Sequence, residues 1–247
     1  MKAVIYTRYG PPDVLQLAEV SKPVPKENEV LIKIFSTTVN RTDCGFRSAE
    51  YFISRFFSGL FRPKNQVLGN EFAGEVVDTG SSVTQFRLGD RVFGYNDITF
   101  GAHAQFMVMP ETGPLSAIPE RMTFEEAAPI TEGGHYALCD IRAAKVSAGQ
   151  KVLINGATGA IGSAAVQLCC YLGAEVTAVC GGKNRELVSK LGAKTVIDYQ
   201  KEDFTLIQEK FDFIFDAVGK SSFGKCKQLL KNKGIYISTE LGKGGQN

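Results

Sequence analysis

Two hydrophobic rhythms divide the chain. Up to about Pro119, apolar residues come in short runs or alternate with polar ones, the period of β-strands. Strands are predicted at residues 3–7, 14–20, 29–39, 70–79, 89–94 and 102–109. Gly10-Pro11-Pro12, Pro23 with Pro25, Gly80-Ser81-Ser82 and Pro110 punctuate them. Such spacing predicts a compact β-barrel-like domain. Residues 41–47 read as a short helix or loop. The aromatic stretch 51–62 reads as a flap or short helix beside a site.

After Thr123 the rhythm changes. Helices are predicted at 123–128 and 134–144. Strands at 151–155, 175–180, 195–198, 211–217 and 234–239 then alternate with helices at 160–172, 184–191 and 222–230 and with a polar stretch up to Lys210. Five strands separated by crossovers predict an α/β, doubly wound parallel sheet, with ligands at the carboxyl ends of its strands. The expected domains are therefore 1–121 and 122–247.

The first strand of that sheet runs into Gly156-Ala157-Thr158-Gly159-Ala160-Ile161-Gly162, a G-x-x-G-x-x-G turn opening a helix. Glycines there let backbone N–H groups approach a pyrophosphate, and the helix points its positive end at the same charge. Three spaced glycines exceed what a ligand-free turn needs, so a dinucleotide site is expected over these residues. Dinucleotide sites specific for NAD place an acid at the end of the second strand. Here that stretch reads Cys180-Gly181-Gly182-Lys183-Asn184-Arg185, without one. Lys183 and Arg185 offer positive charge to a 2′-phosphate, which favours NADPH; the alternative is two ordinary surface residues. Tyr199 packs on the adenosine or caps the core. Ala217, Val218, Gly219 and Thr239, at the ends of the last two strands, complete the expected cofactor contacts.

Composition adds exclusions. The 247 residues carry 28 Lys and Arg against 26 Asp and Glu, a net charge of +2, with no basic stripe. Neither a nucleic-acid nor a membrane partner is expected. Lys225, Lys227, Lys231 and Lys233 read as a solvated face. No window approaches the roughly 18 apolar residues of a membrane span, and the amino terminus has no targeting pattern. Six cysteines without a C-x-x-C pair suit a reducing cytoplasmic setting.

Read together, Gly69-Asn-Glu-Phe-Ala-Gly-Glu-Val-Val77, Gly89-Asp-Arg-Val-Phe-Gly94 and Gly149-Gln-Lys-Val-Leu-Ile-Asn-Gly-Ala-Thr-Gly-Ala-Ile-Gly162 resemble the medium-chain dehydrogenase/reductase superfamily. Within it the chain resembles the zinc-free quinone oxidoreductase branch. The resemblance implies a GroES-like catalytic domain, a Rossmann domain and an active site in the cleft between them. Zinc-dependent members carry Cys where this chain has Asn40, His where it has Asn70, and a third ligand Cys near Ile130-Thr131; Asn is a poor zinc ligand. His103 and His135 are expected to be structural, and Asp43 and Glu71 to order local loops. Without a Lewis acid, a quinone or α,β-unsaturated carbonyl suits hydride transfer better than an alcohol. Asn40 near the nicotinamide, Tyr51 as a hydroxyl donor or a packed flap aromatic, and Thr131 beside the nicotinamide are the candidate catalytic residues. An enoyl-thioester reductase of the same family and a catalytically silent nucleotide-binding protein are the alternatives. Against the family pattern, the sixth Rossmann strand and the closing segment are missing. A homodimer is left open, without the edge through which such subunits often pair.

Overall fold

The computed structural model describes residues 1–49 and 54–240. Residue contacts divide the chain into two units, Met1–Thr131 and Glu132–Asn247.

In the first unit, β1 (Lys2–Ile5) and β2 (Gln16–Glu19) form an antiparallel pair. β3 (Glu29–Thr37), β4 (Glu71–Thr79), β5 (Arg91–Tyr95), β6 (Phe106–Pro110) and β7 (Leu115–Ala117) form an antiparallel sheet of order β6-β3-β4-β5-β7. Bridges Ala3–Ala104 and Ile5–Val67 tie the pair to the rest. Val30, Ile32, Phe72, Val76, Val92, Met107 and Met109 make the core, as strand alternation requires. Among the described residues, α1 (Arg41–Ser48), α2 (Ser54–Ser58) and α3 (Phe124–Ala127) join the unit. Thr123 caps α3, its hydroxyl accepting from the Glu126 N–H while the Glu126 side chain accepts from the Thr123 N–H.

Two expected strands begin later than their apolar pattern does. Pro12–Val14 forms a 3-10 turn before β2, because Val14 turns into a small core with Tyr6, Leu68 and Phe100. β6 starts at Phe106 because Ala102 and His103 give their N–H groups to Gly69 and Leu68 instead.

The second unit is one parallel sheet. α4 (Thr131–Ala143) leads to β8 (Lys151–Asn155), α5 (Ala160–Tyr171), β9 (Glu175–Cys180), α6 (Arg185–Lys190), β10 (Thr195–Asp198), β11 (Phe211–Asp216), α7 (Phe223–Cys226) and β12 (Leu230–Ser238). The order is β10-β9-β8-β11-β12, so the winding reverses between β8 and β11. Successive residues serve opposite faces. Val152, Ile154, Val176, Ala178, Phe213 and Phe215 pack with Ile141, Ala165, Val166 and Cys169. Leu153, Val179, Ile197 and Ile214 pack with Phe204, Cys226 and Leu229.

The helix expected over 222–230 is only partly formed. It is α-helical to Cys226, continues as a 3-10 turn through Leu229, and Leu230 already pairs with Phe211. The ladder resumes at Ile235, after Lys233 has taken a left-handed φ of 64°. Among the described residues no helix is long and apolar enough to cross a membrane.

The Asp216 carboxylate ties the reversal point together. Fully buried, it accepts from Asn155 Nδ2 (3.0 Å), the N–H groups of Val218 (3.3 Å) and Ser221 (2.7 Å), and the Tyr236 hydroxyl (3.3 Å). Asp216→Ala leaves four donors without this acceptor, and each buried unpaired donor costs about 1–3 kcal/mol. The expected loss is about 3 kcal/mol or more, read as a lower urea midpoint at unchanged slope; an unchanged midpoint removes Asp216 from this role.

Candidate functional site

The carboxyl ends of β8, β9, β11 and β12 gather the residues expected to hold a dinucleotide. Gly156 has a φ of 84°, and a Cβ there would lie 2.4 Å from Val218 Cγ1. At Gly162 a Cβ would lie 2.1 Å from the Gly156 carbonyl oxygen, so glycine lets α5 pack against the end of β8. Gly159 differs. It is the N-cap of α5 without a side-chain cap, and the nearest atom to a Cβ there is 3.7 Å away. Thr158, Gly159 and Ala160 are exposed and Ile161 is half-buried. An uncapped helix start with open space before it fits a phosphate group. Ala217, Val218, Gly219 and Thr239 lie at the same edge: Ala217 N–H donates to the Asn155 carbonyl, and Thr239 N–H to that of Asp216.

At the end of β9, Cys180 and Gly181 are buried, while Lys183 and Arg185 are exposed and Tyr199 is 60% exposed. Burial pushes the Cys180 thiol above its ordinary pKa. The nearest acid, Asp198, is turned inward. Its Oδ1 accepts from the N–H groups of Gly182 (3.0 Å) and Gln200 (3.1 Å), so it is committed to the loops. The residues present fit a dinucleotide with a phosphorylated ribose.

In the first unit, Thr38, Asn40 and Thr131 converge on one carboxylate, and Asn70 joins them through Asn40. Glu71 is buried at the start of β4. It accepts from the hydroxyls of Thr38 (2.7 Å) and Thr131 (3.1 Å) and more distantly from Asn40 Nδ2 (3.4 Å). Asn40 is also the N-cap of α1. Its Oδ1 accepts from the Asp43 N–H, and the Asp43 side chain accepts from the Asn40 N–H. That cap fixes the orientation of the Asn40 amide, so its Nδ2 faces Asn70 Oδ1 at 2.6 Å. Asn70 is fixed in turn, and its own Nδ2 is buried without a hydrogen-bond partner among the described residues. A buried donor left unpaired is uncommon. Sequence reasoning noticed Asn70 only as a missing zinc ligand. Tyr51 lies outside the described residues.

Asp43 accepts from the Gly69 N–H at 2.9 Å. Burial raises its carboxyl above the ordinary range, against the pull of His103 and the N–H groups of Asn40 and Gly69. His103 Nε2 lies 2.7 Å from the Thr38 carbonyl, which makes that nitrogen the protonated one. His103 and Asp43 thus brace the loop that carries Asn40.

The donors here are carboxamides, hydroxyls and carboxylates, and the two carboxamides are spent partly on each other. They do not fit a zinc site, which favours thiolate and imidazole. Among the described residues no group of three His, Cys, Asp or Glu could hold a metal ion.

Residues 26–120 match the alcohol dehydrogenase GroES-like domain family, and residues 160–246 the zinc-binding dehydrogenase family. A 2-methylene-furan-3-one reductase of Solanum lycopersicum is 34% identical, and an NADPH-dependent alkenal/one oxidoreductase of Arabidopsis thaliana 31%; each alignment covers 96% of the chain. The chain spans only about three fifths of these relatives, 61% and 62% of their lengths. A chloroplastic quinone-oxidoreductase homolog of Spinacia oleracea is 33% identical, with 98% of this chain and 75% of the homolog covered. The quinone oxidoreductase structure from Coxiella burnetii superposes with a TM-score of 0.86 at 30% identity, over 96% of this chain and 75% of that one. With these relatives and the two folds described, the chain belongs to the medium-chain dehydrogenase/reductase superfamily, in its quinone oxidoreductase branch.

Proposed function

We propose that the protein reduces quinones or α,β-unsaturated carbonyls with NADPH and without zinc. The observation that carries this reading is the unspent N–H of Asn70, at a position where zinc-dependent members have a ligand. The relatives' names support the substrate class, and one of them names NADPH.

The Gly156–Gly162 turn and the start of α5 hold the pyrophosphate, Lys183 and Arg185 the 2′-phosphate, and Tyr199 the adenosine. Gly181, Ala217, Val218, Gly219 and Thr239 form the wall along the strand ends. When bound, NADPH supplies the hydride. Reduction of a conjugated acceptor places negative charge on its carbonyl oxygen, and that charge needs a donor. Asn70 Nδ2 is that donor: its carboxamide is held by Asn40, and Asn40 is held by its cap on α1. Glu71 and Thr131 brace the same corner, with Thr131 Oγ1 also 3.3 Å from the Gly94 carbonyl. The proton that completes the product comes from solvent.

NADPH oxidation with a simple ortho-quinone is the direct test. Turnover that survives dialysis against a chelator is expected; turnover lost on chelation and restored by zinc overturns the zinc-free reading, and binding of NADPH without any turnover overturns the reductase reading. Loss of an oxyanion donor costs up to 10²–10³ in kcat. Asn70→Leu should therefore lower kcat about tenfold to a hundredfold and leave the KM for NADPH unchanged; an unchanged kcat would remove Asn70 from the reaction. Lys183→Glu with Arg185→Glu should raise the KM for NADPH by about tenfold or more, since 1.4 kcal/mol is a factor of ten. The KM for NADH should not rise, and an equal rise for both coenzymes sinks the 2′-phosphate assignment.

A further inference from the structure

The segment after α1 carries chemistry that neither the cradle nor the Glu71 corner uses. Residues 51–70 contain three cations, Arg55, Arg62 and Lys64, and no acid. Interleaved with them, Phe56, Phe57, Leu60 and Phe61 are exposed at 63%, 77%, 42% and 86%. Isolated exposed apolar residues are ordinary, but four within six positions form a patch.

The patch is held in place. Gly59 N–H closes α2 onto the Arg55 carbonyl (2.9 Å), and Lys64 N–H returns to the Ser58 carbonyl (2.8 Å). The Tyr9 hydroxyl donates to the Gly59 carbonyl at 2.6 Å, and the Arg55 guanidinium lies over the Tyr9 ring at 5.0 Å. At Gly59, with a φ of 123°, a Cβ would lie 2.0 Å from the Arg62 carbonyl oxygen, so the turn depends on glycine. Beside it is a cavity of about 410 Å³ whose lining includes Tyr6, Phe46, Phe100 and the 82%-exposed Ile98, with Asp97 and Lys64 as its charged groups.

We infer that this turn docks the protein on an anionic lipid surface. Aromatic side chains suit the boundary between headgroups and acyl chains, and flanking Arg and Lys suit acidic headgroups. The cations decide the occupant: a second copy would bring the same positive charges against these, whereas an anionic bilayer complements them. Phe57 and Phe61 enter the boundary, and Arg62 and Lys64 face the headgroups. Among the described residues no helix is long and apolar enough to cross a bilayer, and the proposed contact is peripheral and reversible. The inference is independent of the reductase reading.

Flotation of the whole chain with vesicles of phosphatidylcholine and phosphatidylserine, against phosphatidylcholine alone, tests it. Binding to the mixed vesicles only, weakening with added salt, is expected. Phe57→Ser with Phe61→Ser, and separately Arg62→Glu with Lys64→Glu, should each reduce the partition coefficient about tenfold or more. These positions are exposed, and an unchanged circular dichroism spectrum confirms that each variant folds. No flotation with either vesicle, equal flotation with both, or binding indifferent to both variants overturns the proposal. So does self-association in ultracentrifugation that the Phe57→Ser, Phe61→Ser variant abolishes while flotation is absent.

Discussion

A carboxylate removed from water must be given donors, and both units are arranged around meeting that demand. Asp216 collects Asn155, two loop N–H groups and Tyr236 from segments far apart in sequence. Glu71 collects Thr38, Thr131 and Asn40 in the same way. Isolated buried charge is expensive, whereas a satisfied one draws distant backbone into a single geometry. Each of these carboxylates stands at a strand terminus, Glu71 where the chain enters β4 and Asp216 where it leaves β11. Loops at such places would otherwise have little to hold them.

Asn40 shows how one residue type can carry two meanings. A polar side chain after a long strand, at a position where the resemblance implies a ligand in zinc-dependent members, reads as a site residue. The spacing Asn40-x-x-Asp43 equally reads as a capping box, and the structure uses it so. The two roles are compatible because the cap takes Oδ1 and leaves Nδ2 for Asn70. What one-dimensional text hides is the direction of an amide. That direction passes from the cap through Asn40 to Asn70, and only coordinates show where it ends.

The strand alternation and the glycine spacing were legible because both follow from backbone periodicity alone. The stretch after Ser222 was not. Phe223, Cys226, Leu229 and Leu230 fit a helical period, but Leu230 finds a better partner in Phe211 across the sheet, and the helix stops short. The absent acid at the end of β9 was legible, and the structure adds why Asp198 does not replace it. Its oxygen already serves Gly182 and Gln200. The Asn155–Asp216 contact joins residues 61 positions apart, a separation no local pattern reports.

The glycine turn carries one more consequence. The N–H groups of Gly156 and Ala157 both donate to the Val179 carbonyl, each at 3.1 Å, and the Gly159 N–H returns to Gly156. The turn is thus closed by bonds of the chain itself, with no ligand needed to shape it. A dinucleotide held there, as proposed, would meet a finished surface. Little of its interaction energy would then be diverted into ordering the protein, and encounter rate would become a matter of diffusion and charge.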